Sequence, residues 1–426
     1  LSHLLQSWHK PSSSALPWLN QLRTEAVDCV STLRVPTAKD EEWRFTNISS
    51  LTKLPFQEVH STSELSSSDI EHFYLPEATT RLVFVDGQYA PQLSNNTYED
   101  GVIAGDLSTL ADSHSSQISL HLGQHTDFRN NVFAALNTAF LKDSAIVIIP
   151  RNTTANAPIH LLFIATQQEV TSYPRCLLIA ESNSQAVIIE DYVAFHELTY
   201  VTNSVTEVSL ADNARINHIR IQRDSDQAFH IADCSVSQAR SSHYQSMNVA
   251  LGANISRLNL NIQLKDEGAE CSVDGLALIK GQQLADTHTF INHAKPNGIS
   301  RQLHKCIVGG DAHAVFNGRI MVRPNAQRTD STQSNRNLLL TNKAQVNTKP
   351  QLEIFADDVK CAHGATVGQL DNEEIFYLRS RGLTEIDARN LLTYAFGAEN
   401  IDRIPVASLK KQLEQTVLKH TQSTAS

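Results

Sequence analysis

Cys361 and His363 stand two apart in the stretch Asp357–Gly368 (DDVKCAHGATVG), and a glycine follows at once. In an extended strand, residues i and i+2 project from one face, about 7 Å apart along the backbone. Thiolate and imidazole are the two side-chain donors that suit iron, zinc or copper near neutral pH. A closed tetrahedral site takes four ligands, and the neighbouring sequence supplies no others. The pair therefore reads either as half of a metal site completed by another protein, or as a buried thiol with a bystander histidine.

Two further groups invite the same question. Thr287–Cys306 carries His288, His293, His304 and Cys306, and His304 and Cys306 again share one strand face. The chain holds 18 histidines, so the simpler expectation is that these lie on exposed edges of the fold, with Lys305, Arg319, Arg323 and Arg328 on solvated faces. Asp357 and Asp358 are sequence neighbours that would point to opposite faces of a strand, which suits a solvated strand end better than an acid–base couple. The chain has no G-x-x-x-x-G-K-[ST] loop, no G-x-G-x-x-G after a strand, no H-E-x-x-H and no G-x-S-x-G. No nucleotide or hydrolase engine is visible.

The elements that must carry these residues fall into three regions, expected at 1–79, 80–370 and 371–426. In the first, Leu19, Leu22, Ala26, Val30 and Leu33 recur at helical spacing until Pro36. The short aromatic unit Lys39–Leu51 and a Ser-rich linker follow. In the second, period-two runs read as strands: Gln185–Phe195, Val205–Leu210, Arg215–Gln222, Ser256–Leu264 and Ala314–Val322. Small-residue turns at 210–214, 251–255, 266–270, 308–312 and 341–345 separate them. Their uneven spacing suggests a repeat of about 20 residues without helices, the mark of a β-solenoid, although a β-sandwich would also give strands and turns. In the third, Asp371 with Glu374 opens a helix that Gly382 closes, and Thr384 with Asp387 opens another. The apolar face of that helix is expected to hold Ile386, Leu391, Tyr394 and Ala395. Leu409, Leu413, Val417 and Leu418 mark a last amphipathic helix. The fold class expected is mainly β, a parallel β-helix between helical ends.

Composition narrows the function classes. The 426 residues are 41% hydrophobic and 19% charged, with a net charge of −10. That is a globular chain without the basic balance of a general nucleic-acid binder. No apolar run approaches the roughly 20 residues that span a bilayer; the longest is Ala145–Ile149. The first fourteen residues hold no apolar leader core. Six cysteines are scattered without a C-x-x-C pair, which fits a reducing compartment. The expectation is a soluble cytoplasmic protein that engages neither nucleic acid nor membrane.

The segment EIFADDVKCAHGATVGQLDNEEIFYLRSRGL (353–383) resembles the C-terminal signature of the SufB/SufD family of iron–sulfur cluster assembly subunits, on its SufD side. The resemblance extends through DTHTFINH (286–293), SRQLHK (300–305), AVFNGRI (314–320), the stretch 330–340, NTKPQLEI (347–354) and, near the start, DEEWRFT (40–46). VGGDAHA (308–314) and RPNAQ (323–327) match less clearly. The resemblance implies a right-handed parallel β-helix and a non-catalytic scaffold role. It also implies pairing with a homologous SufB-like subunit and docking of a SufC-like ABC ATPase that supplies the nucleotide hydrolysis. A nascent iron–sulfur cluster, or iron, would be shared across the interface, with His363 ahead of Cys361 as ligand, and this chain would bind no nucleotide. ATP-driven movement of the helical tail would open that interface. On the tail, Phe376, Tyr377, Arg379, Arg381 and Tyr394 are expected to meet the partner, and the isolated chain could pair with itself as a homodimer through the surface meant for the SufB-like subunit. Two rivals stay open: a purely structural subunit whose Cys361 and His363 hold no metal, and a β-helix enzyme acting on polysaccharides.

Overall fold

The computed structural model describes residues 16–53, 57–59, 64–96 and 101–423. The N-terminal stretch read for a leader, and parts of the Ser-rich linker, lie outside them. Two sheets of eleven strands each face one another across a lumen, and the chain alternates between them for about eight turns from residue 145 to 368. Neighbouring strands within each sheet run parallel throughout these turns; antiparallel pairing is confined to the entrance, at Thr80–Val85 and Ile103–Asp106. The strands foreseen from period-two alternation are present at Gln185–Ala194, Val201–Leu210, Arg215–Arg223, Ile255–Leu264 and His313–Val322.

The repeat of about 20 residues is not what the structure shows. Gln185 lies opposite Arg215, then His243, Glu270, Ile299, Asp330 and Lys360, so one turn takes 27 to 31 residues and contributes a strand to each sheet. The turn is closed at one corner by a residue with left-handed backbone: Asn152, Asn183, Asn213, Ser241, Gly268, Asn297 and Arg328, at φ between 52 and 66°. Asparagine and glycine tolerate that conformation best. Each of these N–H groups donates to a carbonyl of the next turn, as Asn183 does to Asp212 (3.0 Å) and Asn297 to Gln327 (2.9 Å). The asparagine side chains add a second ladder, Asn213 Nδ2 to Asn183 Oδ1 at 3.0 Å and Asn183 Nδ2 to Asn152 Oδ1 at 2.9 Å.

Helices cover the outer faces. Pro17–Thr32 buries Leu19, Leu22, Ala26 and Val30 as its periodicity requires, and packs with Val132–Ala139 on the sheet that begins at Ile103–Asp106. That second helix, and Leu107–Ser119 before it, lie in a region read only as strands. Residues 40–46 cross the same face as a strap: Trp43 lies under the Arg257 guanidinium at 3.8 Å, and Glu42 reaches His288 at 3.1 Å. A buried ion pair fastens the cap from within. Arg175 meets Glu207, both side chains are fully buried, and Glu207 also accepts from the backbone N–H groups of Gly123 and His125.

The opposite sheet, which ends in Val359–Gly368, carries the tail. Leu409, Leu413 and Val417 pack on Leu75, Ile219, Ile221, Met247 and Val249. Removing one partner of a buried ion pair leaves the other charge uncompensated. Arg175→Met is therefore expected to lower the unfolding free energy in urea by about 3–5 kcal/mol. A loss under about 1 kcal/mol, the scale of an exposed pair, would show that the pair does not anchor the cap.

Candidate functional site at the open end of the solenoid

The last strand of each sheet, Gln345–Ile354 and Val359–Gly368, has a strand partner on one side only. No described strand pairs with the outer edge of either one. No residue of Val359–Gly368 is buried, and Phe355 and Val367 beside this edge are 59% and 48% exposed. An uncovered edge presents a row of free N–H and C=O groups, and solenoids ordinarily cap their ends.

Cys361 and His363 stand on this edge strand. Cys361 is in register with Ser331 and His363 with Gln333. Ser331 and Gln333 are lumen residues with 1% exposure, so the pair continues the lumen face by one further turn. Cys361 is half-buried against the lumen core and His363 is exposed. Burial pushes the Cys361 thiol above its ordinary value; a backbone hydrogen bond with Ser331 opposes the shift and the Asp330 carboxylate adds to it. The thiol is thus neutral until a metal or a partner's positive charge draws off its proton. Among the described residues no group of three or more His, Cys, Asp or Glu side chains is placed to hold a metal ion. The pair has the donor types for iron but not the number.

The His-rich segment resolves differently from its reading as an exposed edge. His293 and His304 are buried in the lumen with their pKa values pushed down by burial to about 4 and about 3, and Cys306 is buried beside them. His288 points outward between Asp286 (2.9 Å) and Glu42 (3.1 Å). Lys305 is buried under the tail, donating to the Phe396 carbonyl at 2.8 Å and pairing with Glu399 at 2.6 Å. Asp357 and Asp358 are exposed.

On the tail, the helices Asn372–Ser380 and Glu385–Ile401 start at the foreseen caps, with Asp371 accepting from Glu373 N–H and Thr384 from Asp387 N–H. Phe376 and Tyr377 are 73% and 57% exposed. Arg379 pairs with Glu385 at 3.4 Å, and Arg381 lies over the Tyr377 ring at 5.2 Å. The expected apolar face of the second helix is overturned. Ile386, Leu391 and Ala395 are exposed, while Ala388, Gly397, Asn400 and Ile401 are buried. Small residues let this helix lie close on the sheet, where a Cβ at Gly397 would already touch Ile307 at 3.5 Å. Tyr394 turns inward and reaches Glu414 at 3.3 Å, tying the last two helices together.

Comparison with known proteins bears on this site. Residues 163–396 match the family model described as SUF system FeS cluster assembly, SufBD core domain, and residues 6–161 match the SufBD protein N-terminal region. The chain belongs to the SufBD family. It is 44% identical over 407 residues to the iron–sulfur cluster assembly SufBD family protein slr0076 of Synechocystis, covering 93% of this chain and 89% of that protein. It is 33% identical to the iron–sulfur cluster assembly protein SufD of Escherichia coli (97% and 95% covered) and 25% identical to SufD of Bacillus subtilis (94% and 93% covered). The SufBD match makes the chain a SUF-system iron–sulfur cluster assembly protein. In this SufBD protein, no described helix is long and apolar enough to cross a membrane.

The state of the edge thiol is directly measurable. Alkylation of Cys361 by iodoacetamide, followed by peptide mass spectrometry across pH, is expected to titrate above a peptide cysteine's value of about 8.5. A midpoint below that value would contradict the burial argument.

Proposed function

We propose that this chain is the SufD-type member of a cluster assembly complex, and that its open solenoid end pairs with the equivalent end of a SufB-like subunit. Cys361 and His363 then supply half of a site on which iron and sulfide are assembled as cargo, and the partner supplies the rest. The carrying observation is the coincidence of two donors suited to iron, on one face, with the end of the solenoid at which the last strand of both sheets has a partner on one side only among the described residues. Edge pairing would satisfy the free backbone groups and bury Phe355 and Val367 in the same step. His363 is exposed and has no thiol proton to lose, so it binds first; Cys361 joins once metal binding displaces its proton.

The exposed Phe376, Tyr377, Ile386 and Leu391 on the tail form the docking face for a SufC-like ATPase, with Arg379 and Arg381 at its rim. The tail is anchored to the sheet that ends in Cys361 and His363. Asn400 Nδ2 donates to the carbonyls of Gly275 (2.9 Å) and Leu303 (3.2 Å), and Arg403 pairs with Asp274 at 2.8 Å. Force applied by an ATPase at the tail would therefore act on that sheet rather than on a free arm.

His363→Ala in the co-purified complex, assembled anaerobically with iron and a sulfide source, is expected to abolish cluster formation while far-UV circular dichroism and complex recovery stay unchanged. Wild-type assembly in that variant would remove the metal role and leave a purely structural subunit.

A further inference from the structure

The lumen beneath His363 holds a ladder of side-chain amides with a fixed direction. Gln302 and Gln333 sit on successive turns, in register with each other and with His363. The direction is set from the inside. His304 is neutral in its buried position and presents Nε2 at 3.1 Å from the Gln302 amide nitrogen, and Thr289 Oγ1 lies 2.6 Å from the same nitrogen. With its nitrogen committed inward, Gln302 offers its carbonyl to the next turn, where Gln333 Nε2 donates to it at 2.6 Å. Gln333 repeats the pattern: its nitrogen faces inward, and its Oε1 is buried without a hydrogen-bond partner.

The ladder is built into the backbone. A Cβ at Gly275 would come within 2.2 Å of His304 Nδ1, and one at Gly318 within 2.2 Å of Gln333 Nε2, so both amide and imidazole occupy space that only glycine leaves open. A buried carbonyl without a donor is destabilising. The next turn places His363 over it in register, exposed and without a hydrogen bond of its own among the described residues. In-register stacking thus puts a ring donor and an unsatisfied acceptor on adjacent turns of one lumen face.

We infer that Gln333 is a positioning residue for His363: its buried carbonyl accepts one imidazole N–H and thereby fixes which ring nitrogen faces outward to the cluster. This rests on His363 being a ligand of the shared site. Ligating histidines generally donate their second nitrogen to such an acceptor, which sets tautomer and ring orientation, and loss of the acceptor typically weakens metal binding 10- to 100-fold. A histidine at the open end of an amide ladder thus receives its orientation from inside the subunit, before any partner arrives.

The test uses the full chain labelled with ¹⁵N-histidine, with the His363 signals in long-range ¹H–¹⁵N spectra assigned by their loss in His363→Ala. The wild type is expected to show one neutral tautomer at His363. Gln333→Met, of similar size but without the acceptor, is expected to show the mixture of a free imidazole, and Gln333→Glu, which keeps an acceptor oxygen, to hold the single form. A free-imidazole mixture in the wild type overturns the inference whether or not the variants fold, as does an unchanged single tautomer in Gln333→Met with native circular dichroism. Iron retained by the complex of Gln333→Met is expected to fall about 10- to 100-fold; retention at the wild-type level also overturns it. Cluster assembly surviving in His363→Ala would defeat the proposed site but leave the tautomer result standing, so the two failures are distinguishable.

Discussion

A parallel solenoid satisfies the backbone of each turn with the next, and the last turn has none. This constraint organises the molecule. At the entrance the ladder is closed off by antiparallel pairs and by the helical cap that Arg175 and Glu207 tie to the sheet. At the other end the strands Gln345–Ile354 and Val359–Gly368 stop with open edges. An open edge of this length is a liability unless it is used. Here the edge carries Cys361 and His363, which extend the lumen face by one turn and meet no third ligand among the described residues. In the proposed complex, pairing of edges and completion of a ligand set would be one event.

The interior supports that end in an uncommon way. Lumen positions near the entrance mix aliphatic residues such as Leu161, Leu178 and Ile188 with a buried polar group in which Glu190 accepts from Thr206 and meets His218. Towards the open end they become Thr289, Gln302, His304, Gln333 and Asn335, all buried. Buried polar groups are costly unless bonded, so such a stretch specifies register and direction more sharply than apolar packing does. The tail adds a second tie to the same sheet through Lys305, Asn400 and Arg403. Site and tail thus share one sheet.

Much of the fold was legible in the sequence, and the failures have physical causes. Period-two alternation located strands such as Ile255–Leu264 because β-branched and aliphatic residues alternate with polar ones wherever one face lines the lumen. The repeat length was misread because the turn signals came from two corners. LADNA and DEGAE mark the corner of Asn213 and Gly268, while LGANI and VGGDA mark that of Ala253 and Gly310. Mixing them yields half-turn and one-and-a-half-turn spacings, and hides the true period. The tail face was misassigned because close helix–sheet contact selects Ala388 and Gly397, which a search for large apolar residues passes over. The C-x-H pair was visible as two donors on one strand face, since that needs only spacing. The glutamines behind it were not, because a buried amide ladder exists only once successive turns are stacked.

The central claim is that the open end is closed by a homologous subunit. Hydrogen–deuterium exchange of the chain alone and within its purified assembly complex tests this most directly. Amides of residues 345–368 are expected to exchange rapidly in the isolated, monomeric chain and to become strongly protected in the complex, with the Asn183 and Asn213 corners unchanged. Equal exchange of 345–368 in both states would contradict edge pairing and, with it, a cluster site shared at that end.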